Sequence, residues 1–168
     1  VVCSSQDSAG NVGSCSFSVH VVDTVAPAVQ CPSPSSVECA STGGTAVKFA
    51  ATATDLCDAA PAIACLPTSG SVFPLGTTSV FCTATDDSGN ASGCSFDVTV
   101  IDTTAPSIQC PTDVTADCQN SGGAIITFAA TATDVCDSAP VVECVPASGA
   151  LFPIGLSQVD CTATDGSG

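Results

Sequence analysis

Apolar and small polar residues alternate along most of this chain, and no stretch reads as a helix of useful length. The segment Thr45 to Thr54, TAVKFAATAT, carries this alternation with Thr and Val and predicts a strand with one face buried. A clearer signal follows in TTSVFCTATDDSGNASGCSFDVTVID. Val80, Cys82 and Ala84 share one face of its first arm, Cys94, Phe96, Val98 and Val100 share one face of its second, and DDSGN supplies turn residues between them. Shorter extended runs are predicted from Ala28 to Cys31, an edge strand held between Pro27 and Pro32, from Val37 to Cys39, and in AIACL. STGG and DLCDAAP are turns by composition, and Phe73 anchors the punctuated stretch PTSGSVFPLG. About seven short strands with turns every 8–12 residues predict an all-β fold, a compact antiparallel sandwich.

That pattern repeats. Cys3, Cys82 and Cys161 are one position met three times at a spacing of 79 residues, and Cys15/Cys94, Cys31/Cys110, Cys39/Cys118, Cys57/Cys136 and Cys65/Cys144 keep the same offset. Residues 1–23 match the last part of a unit, residues 24–102 make one complete unit, and residues 103–168 make a unit without its final strand. FAATATDLCD returns as FAATATDVCD, and the changes Val29 to Ile108, Val47 to Ile126 and Leu75 to Ile154 nearly conserve volume. Packing, rather than a reactive group, is what the repeat keeps.

Units this small bury a limited core, and 13 cysteines in 168 residues are the usual compensation in an oxidising compartment. Structural zinc is disfavoured, because no close Cys-x2-Cys pair occurs and the one histidine, His20, is replaced by Thr99 in the next unit. Sixteen carboxylates against one basic residue, Lys48, give a net charge of −15, which repels nucleic acid and anionic lipid and keeps an apolar-rich chain soluble. No apolar run approaches bilayer length, VVCSSQDSAGN is not a signal peptide, and the lack of Met fits an internal segment.

Five linked motifs stand in register: Cys31-Pro32, Ala53 to Cys57, Cys65 to Gly76, Val80 to Asn90, and Cys94 to Asp102. Together they resemble the hyalin repeat, or HYR module, and the resemblance covers the complete unit and both fragments. It implies tandem immunoglobulin-like sandwiches stapled by disulfides, and an extracellular or cell-surface location. The implied role is a structural repeat of a fibre or filament, with a ciliary surface hair as one example. The expected partners are neighbouring modules of the same chain, other fibre subunits and glycans. The alternative function is an adhesive module that recognises a protein or glycan through loops at one end of the sandwich.

The resemblance further suggests pairing Cys31 with Cys94, Cys39 with Cys57, Cys65 with Cys82, Cys118 with Cys136, and Cys144 with Cys161, leaving Cys3, Cys15 and Cys110 with partners outside the sequence. A rival scheme closes the hairpins on themselves, Cys3 to Cys15 and Cys82 to Cys94, and strands Cys161. The first is favoured here because Cys82 and Cys94 need not lie directly opposite across a hairpin with so long a loop. The open edge expected in residues 103–168 is completed either by further chain or by strand donation from a neighbour's first segment.

Candidate chemistry is sparse. Carboxylates cluster at Asp55/Asp58, Asp86/Asp87 and the unit boundaries Asp23 and Asp102, and of these Asp55, Asp58, Asp86, Asp87 and Asp102 are the calcium candidates, though the bland reading is that Asp caps turns. Asp87 becomes Gly166 and Ser8 in the other units, no full ligand loop is present, and no cofactor is expected. Asn90-Ala91-Ser92 is an N-glycosylation sequon on a turn, whereas Asn11-Val12-Gly13 is not. No enzyme is expected: a lone histidine offers no triad, the cysteines recur as a framework, and the carboxylates lack an aromatic platform.

Overall fold

The computed structural model describes residues 1–167. Its strands follow the alternation. A hairpin of β1 (Val2–Gln6) and β2 (Val12–Ser16) comes first. Then come β3 (Ala28–Gln30), β4 (Ser35–Glu38), β5 (Thr45–Ala46), β6 (Thr52–Thr54), β7 (Ala62–Leu66), β8 (Val72–Phe73), β9 (Gly76–Thr85) and β10 (Ala91–Ile101). The set then returns in shortened form as β11 (Ser107–Gln109), β12 (Ala124–Ile125), β13 (Thr131–Thr133), β14 (Val141–Val145), β15 (Leu151–Phe152) and β16 (Asp160–Thr164). No helix occurs among the described residues.

Residues 28–101 form a sandwich. One layer is a four-stranded sheet in the order β4-β10-β9-β7, antiparallel except where β4 runs parallel to β10. Short antiparallel pairs, β3 with β6 and β5 with β8, supply the other layer. The period-two pattern places Val80, Cys82, Ala84, Phe96, Val98 and Val100 inward, and all six are buried. They pack against Val47 and Phe73, with Phe49 partly buried in the same cluster. Phe49 presents its ring at a steep angle to both Phe96, at 4.9 Å, and Phe73, at 6.4 Å.

Thr45 to Thr54 is not one strand. Its inward alternation holds, but the segment changes partner midway, from β8 to β3. Across the change the Ser69 hydroxyl stands in for a ladder: it accepts the Phe49 N–H at 2.9 Å and donates to the Phe49 carbonyl at 2.6 Å. Ser148 and Phe128 repeat the arrangement.

The disulfides within the sandwich join Cys31 to Cys94 and Cys65 to Cys82, and Cys144 is joined to Cys161 further on. Cys82 lies directly across from both Cys94 and Cys65, without the offset expected across the hairpin, yet Cys82–Cys94 is not the bond formed. Bonding Cys82 to Cys65 leaves Cys94 free to reach Cys31 on the other layer, and no cysteine of that group of four is left over. The expected pairs Cys39–Cys57 and Cys118–Cys136 are not formed. Instead Cys39 is bonded to Cys136, 97 residues on. The reason is distance. Cys39 donates its N–H to Ile101 at the far end of β10, while Cys57 lies beside the Asp86 turn that precedes β10. Eleven residues of strand separate those ends by roughly 30 Å, several times the reach of a disulfide. Cys57, Cys118, Cys3, Cys15 and Cys110 are unbridged and exposed.

Beyond residue 102, β11 pairs with β13, β12 with β15, and β14 with β16. A cleft of about 560 Å³ opens between these pairs, lined by Phe128, Phe152, Ile154 and Val159 among others. These residues correspond by the 79-residue offset to Phe49, Phe73, Leu75 and Val80, of which Phe49, Phe73 and Val80 belong to the core that β10 helps to close in residues 28–101, whereas Leu75 is exposed.

Candidate functional site: the joint between sandwiches

Both joints use the acid that ends a unit and the Ala-Thr-Asp loop that follows β6 or β13, and the first joint adds the Ala-Thr-Asp turn that follows β9. At the first joint the carboxylate oxygens of Asp23, Asp55 and Asp86 lie within 4.8 Å of one another. At the second, Asp102 and Asp134 converge in the same way, with the sulfur of Cys136 in place of a third carboxylate. Of the five calcium candidates, Asp55 and Asp86 therefore meet, Asp102 belongs to the other joint, and Asp58 and Asp87 stand outside both clusters. Asp23, the boundary acid matched to Asp102, and Asp134, which the 79-residue offset from Asp55 marks, complete the sets.

Most of these oxygens are already engaged in turn capping. Asp55 Oδ1 accepts from the N–H groups of Cys57 at 2.8 Å and Asp58 at 3.0 Å, and Asp134 Oδ1 repeats this with Cys136 at 2.7 Å and Asp137 at 2.9 Å. The Asp137 N–H, then that of Cys136, hold the Asp134 carboxyl below the usual range. Asp58 Oδ2 accepts the Asp87 N–H at 3.1 Å, which ties the two turns together, and Asp137 does the same for Gly166 at 2.9 Å. Asp102 Oδ2 is buried without a partner.

Among the described residues Asp86 is the one buried carboxylate, 6% exposed. Burial pushes its pKa up, but the Asn90 side-chain amide, the Asn90 N–H and the N–H groups of Ser88 and Gly89 outweigh burial and leave it lowered. Asn90 Nδ2 donates to Asp86 Oδ2 at 2.9 Å and to the Asp23 carbonyl at 3.4 Å, and Ser92 Oγ donates to the Pro27 carbonyl. Both polar side chains of the sequon therefore have structural partners. The Asp7–Asn11 turn makes the same amide bond, at 2.7 Å, without any sequon.

The second joint is also crossed covalently and by hydrogen bonds. Glu38, beside Cys39, accepts the Thr103 N–H at 2.8 Å and the hydroxyls of Thr103 at 3.1 Å and Thr104 at 3.3 Å. The Thr103 N–H chiefly lowers the pKa of this carboxyl. Cys136 is buried within the cluster that fills the first sandwich. At the first joint, Cys57 stands at the position of Cys136, and the negative charge of Asp23, followed by burial, Asp55 and Asp86, pushes its thiol pKa up. His20 is exposed.

The HYR domain family model matches residues 22–100 and again residues 101–168. The chain is 36% identical over 172 residues to Hyalin of Strongylocentrotus purpuratus and 34% identical over 174 residues to Hyalin of Lytechinus variegatus. Each alignment takes in 97% of this chain but only 14% and 33% of those proteins. With two successive matches lying over two successive sets of sandwich strands, this chain belongs to the HYR domain family.

Proposed function

We propose that the chain is a structural repeat of an extracellular fibre or cell-surface filament, of which a ciliary surface hair is one form, and that it acts as a rigid spacer and assembly surface. The observation that carries this reading is the joint: a Cys39–Cys136 bridge and three hydrogen bonds to Glu38 span two sandwiches across a short linker. Pro106 in that linker limits the bend further. The Hyalin relatives and the disulfide framework support a location outside the cytosol. The predominance of framework residues over reactive groups supports a non-enzymatic role.

An adhesive reading keeps some support from the loop tips, where Leu56 is 92% exposed beside the first joint. Small-angle scattering of the oxidised chain separates the two. A rigid spacer gives one narrow distance distribution that persists across ionic strength. A broad, multimodal distribution, together with ligand capture that is lost on Leu56→Ser, would favour the adhesive module and sink the spacer.

A further inference from the structure

The bond between Cys39 and Cys136 is made by two positions that recur, and each recurs once more in this chain without a bridge. Cys118 is the Cys39 position one unit later, and Cys57 is the Cys136 position one unit earlier. Both are exposed and unbridged. The surroundings recur with them. Asp55 caps the N–H groups of Cys57 and Asp58 as Asp134 caps those of Cys136 and Asp137, and Asp23 meets Asp55 as Asp102 meets Asp134. The first joint thus shares the acid pair and the turn capping of the second, with Asp86 completing its cluster where Cys136 completes the other, and with Cys57 exposed where the bonded Cys136 is buried.

We infer that Cys57 and Cys118 are the two open halves of a repeating covalent joint. Cys57 accepts the Cys39-position cysteine of a module on its N-terminal side, and Cys118 accepts the Cys136-position cysteine of a module on its C-terminal side. The partner in each case is a further copy of this module, and consecutive modules become linked by one disulfide per joint in addition to the peptide chain. Bond formation takes two thiols to one disulfide, and the two electrons and two protons go to a disulfide-bearing oxidant that leaves as a dithiol. Within the complete module the Cys39–Cys57 pairing is excluded by length, since the two lie at opposite ends of the sandwich. This inference stands on the joint geometry and holds whether the array serves as a fibre or as an adhesive surface.

The test is peptide mapping of the intact secreted protein that carries this segment, alkylated under denaturing conditions without reductant. The expected result is a Cys57 peptide crosslinked to a peptide of the preceding module, a Cys118 peptide crosslinked to one of the following module, and Cys39 crosslinked to Cys136. Recovery of Cys57 or Cys118 alkylated, or of a Cys39–Cys57 crosslink, overturns the inference. In the same protein Cys57→Ser is expected to unmask one new alkylatable thiol, 97 residues before position 57, by analogy with the observed pair. A new thiol at Cys39, or no new thiol, contradicts it. The Cys118→Ser variant provides an independent reading, with the new thiol expected 97 residues after position 118.

Discussion

At the scale of single residues, the joint is made of side chains that the backbone needs. Asn90 serves a buried carboxylate, so Asn90→Ala removes the amide that satisfies Asp86 and should cost about 1–3 kcal/mol in urea unfolding. Asn90→Asp should be worse, because it sets a second negative charge against Asp86. Gly44 shows a different constraint. Its φ of +107° is hostile to a side chain, and a Cβ there would sit 1.9 Å from the Phe73 carbonyl oxygen. Gly44→Ala should therefore destabilise by well over 1 kcal/mol, visible as a lower thermal midpoint. STGG was legible as a loop, but the contact that forbids a Cβ is made with β8, about thirty residues away in sequence, and no local pattern encodes it.

Among elements, the two long strands were the most legible and the segment Thr45 to Thr54 the least. β9 and β10 pair through a complete ladder with a strict inward face, so periodicity alone finds them. The break between β5 and β6 keeps the same in-out alternation while exchanging hydrogen-bond partners, and alternation does not reveal who the partner is. Ser69→Ala withdraws the hydroxyl that bridges this break. A loss of about 1 kcal/mol is expected, with faster amide exchange at Phe49, which hydrogen-exchange mass spectrometry would register. The bridge between layers is worth more. Cys31–Cys94 closes 63 residues of chain, and Cys31→Ser together with Cys94→Ser should cost about 4 kcal/mol in chemical denaturation.

For the whole molecule, charge and joints act on each other. The net charge of −15 is spread over a chain whose turns require ionised Asp, so two opposed effects follow from one composition. Asp86, Asp134 and Glu38 have folded pKa values below their ordinary 3.8, 3.8 and 4.5. Groups lowered in this way stabilise the fold above their unfolded values, and the contribution fades as pH falls through the folded ones. Stability to urea should therefore hold from neutrality to about pH 4.5 and decline below it. At neutral pH, salt should raise stability by screening repulsion; insensitivity to salt would mean that the charges are too dispersed to repel.

What the sequence determined by itself was the unit: its 79-residue period, its all-β character, the inward faces of its longest strands, and an acid-rich boundary. These follow from local periodicity and from repetition, both written in consecutive residues. Only the tertiary structure decided which module each cysteine serves. Spacing orders Cys39, Cys57 and Cys136 along the chain, but the roughly 30 Å length of β10 places Cys39 at one end of its sandwich and Cys57 at the other. Cys39 is thereby brought to the neighbour's cysteine, and the staple expected inside a module becomes the one between modules.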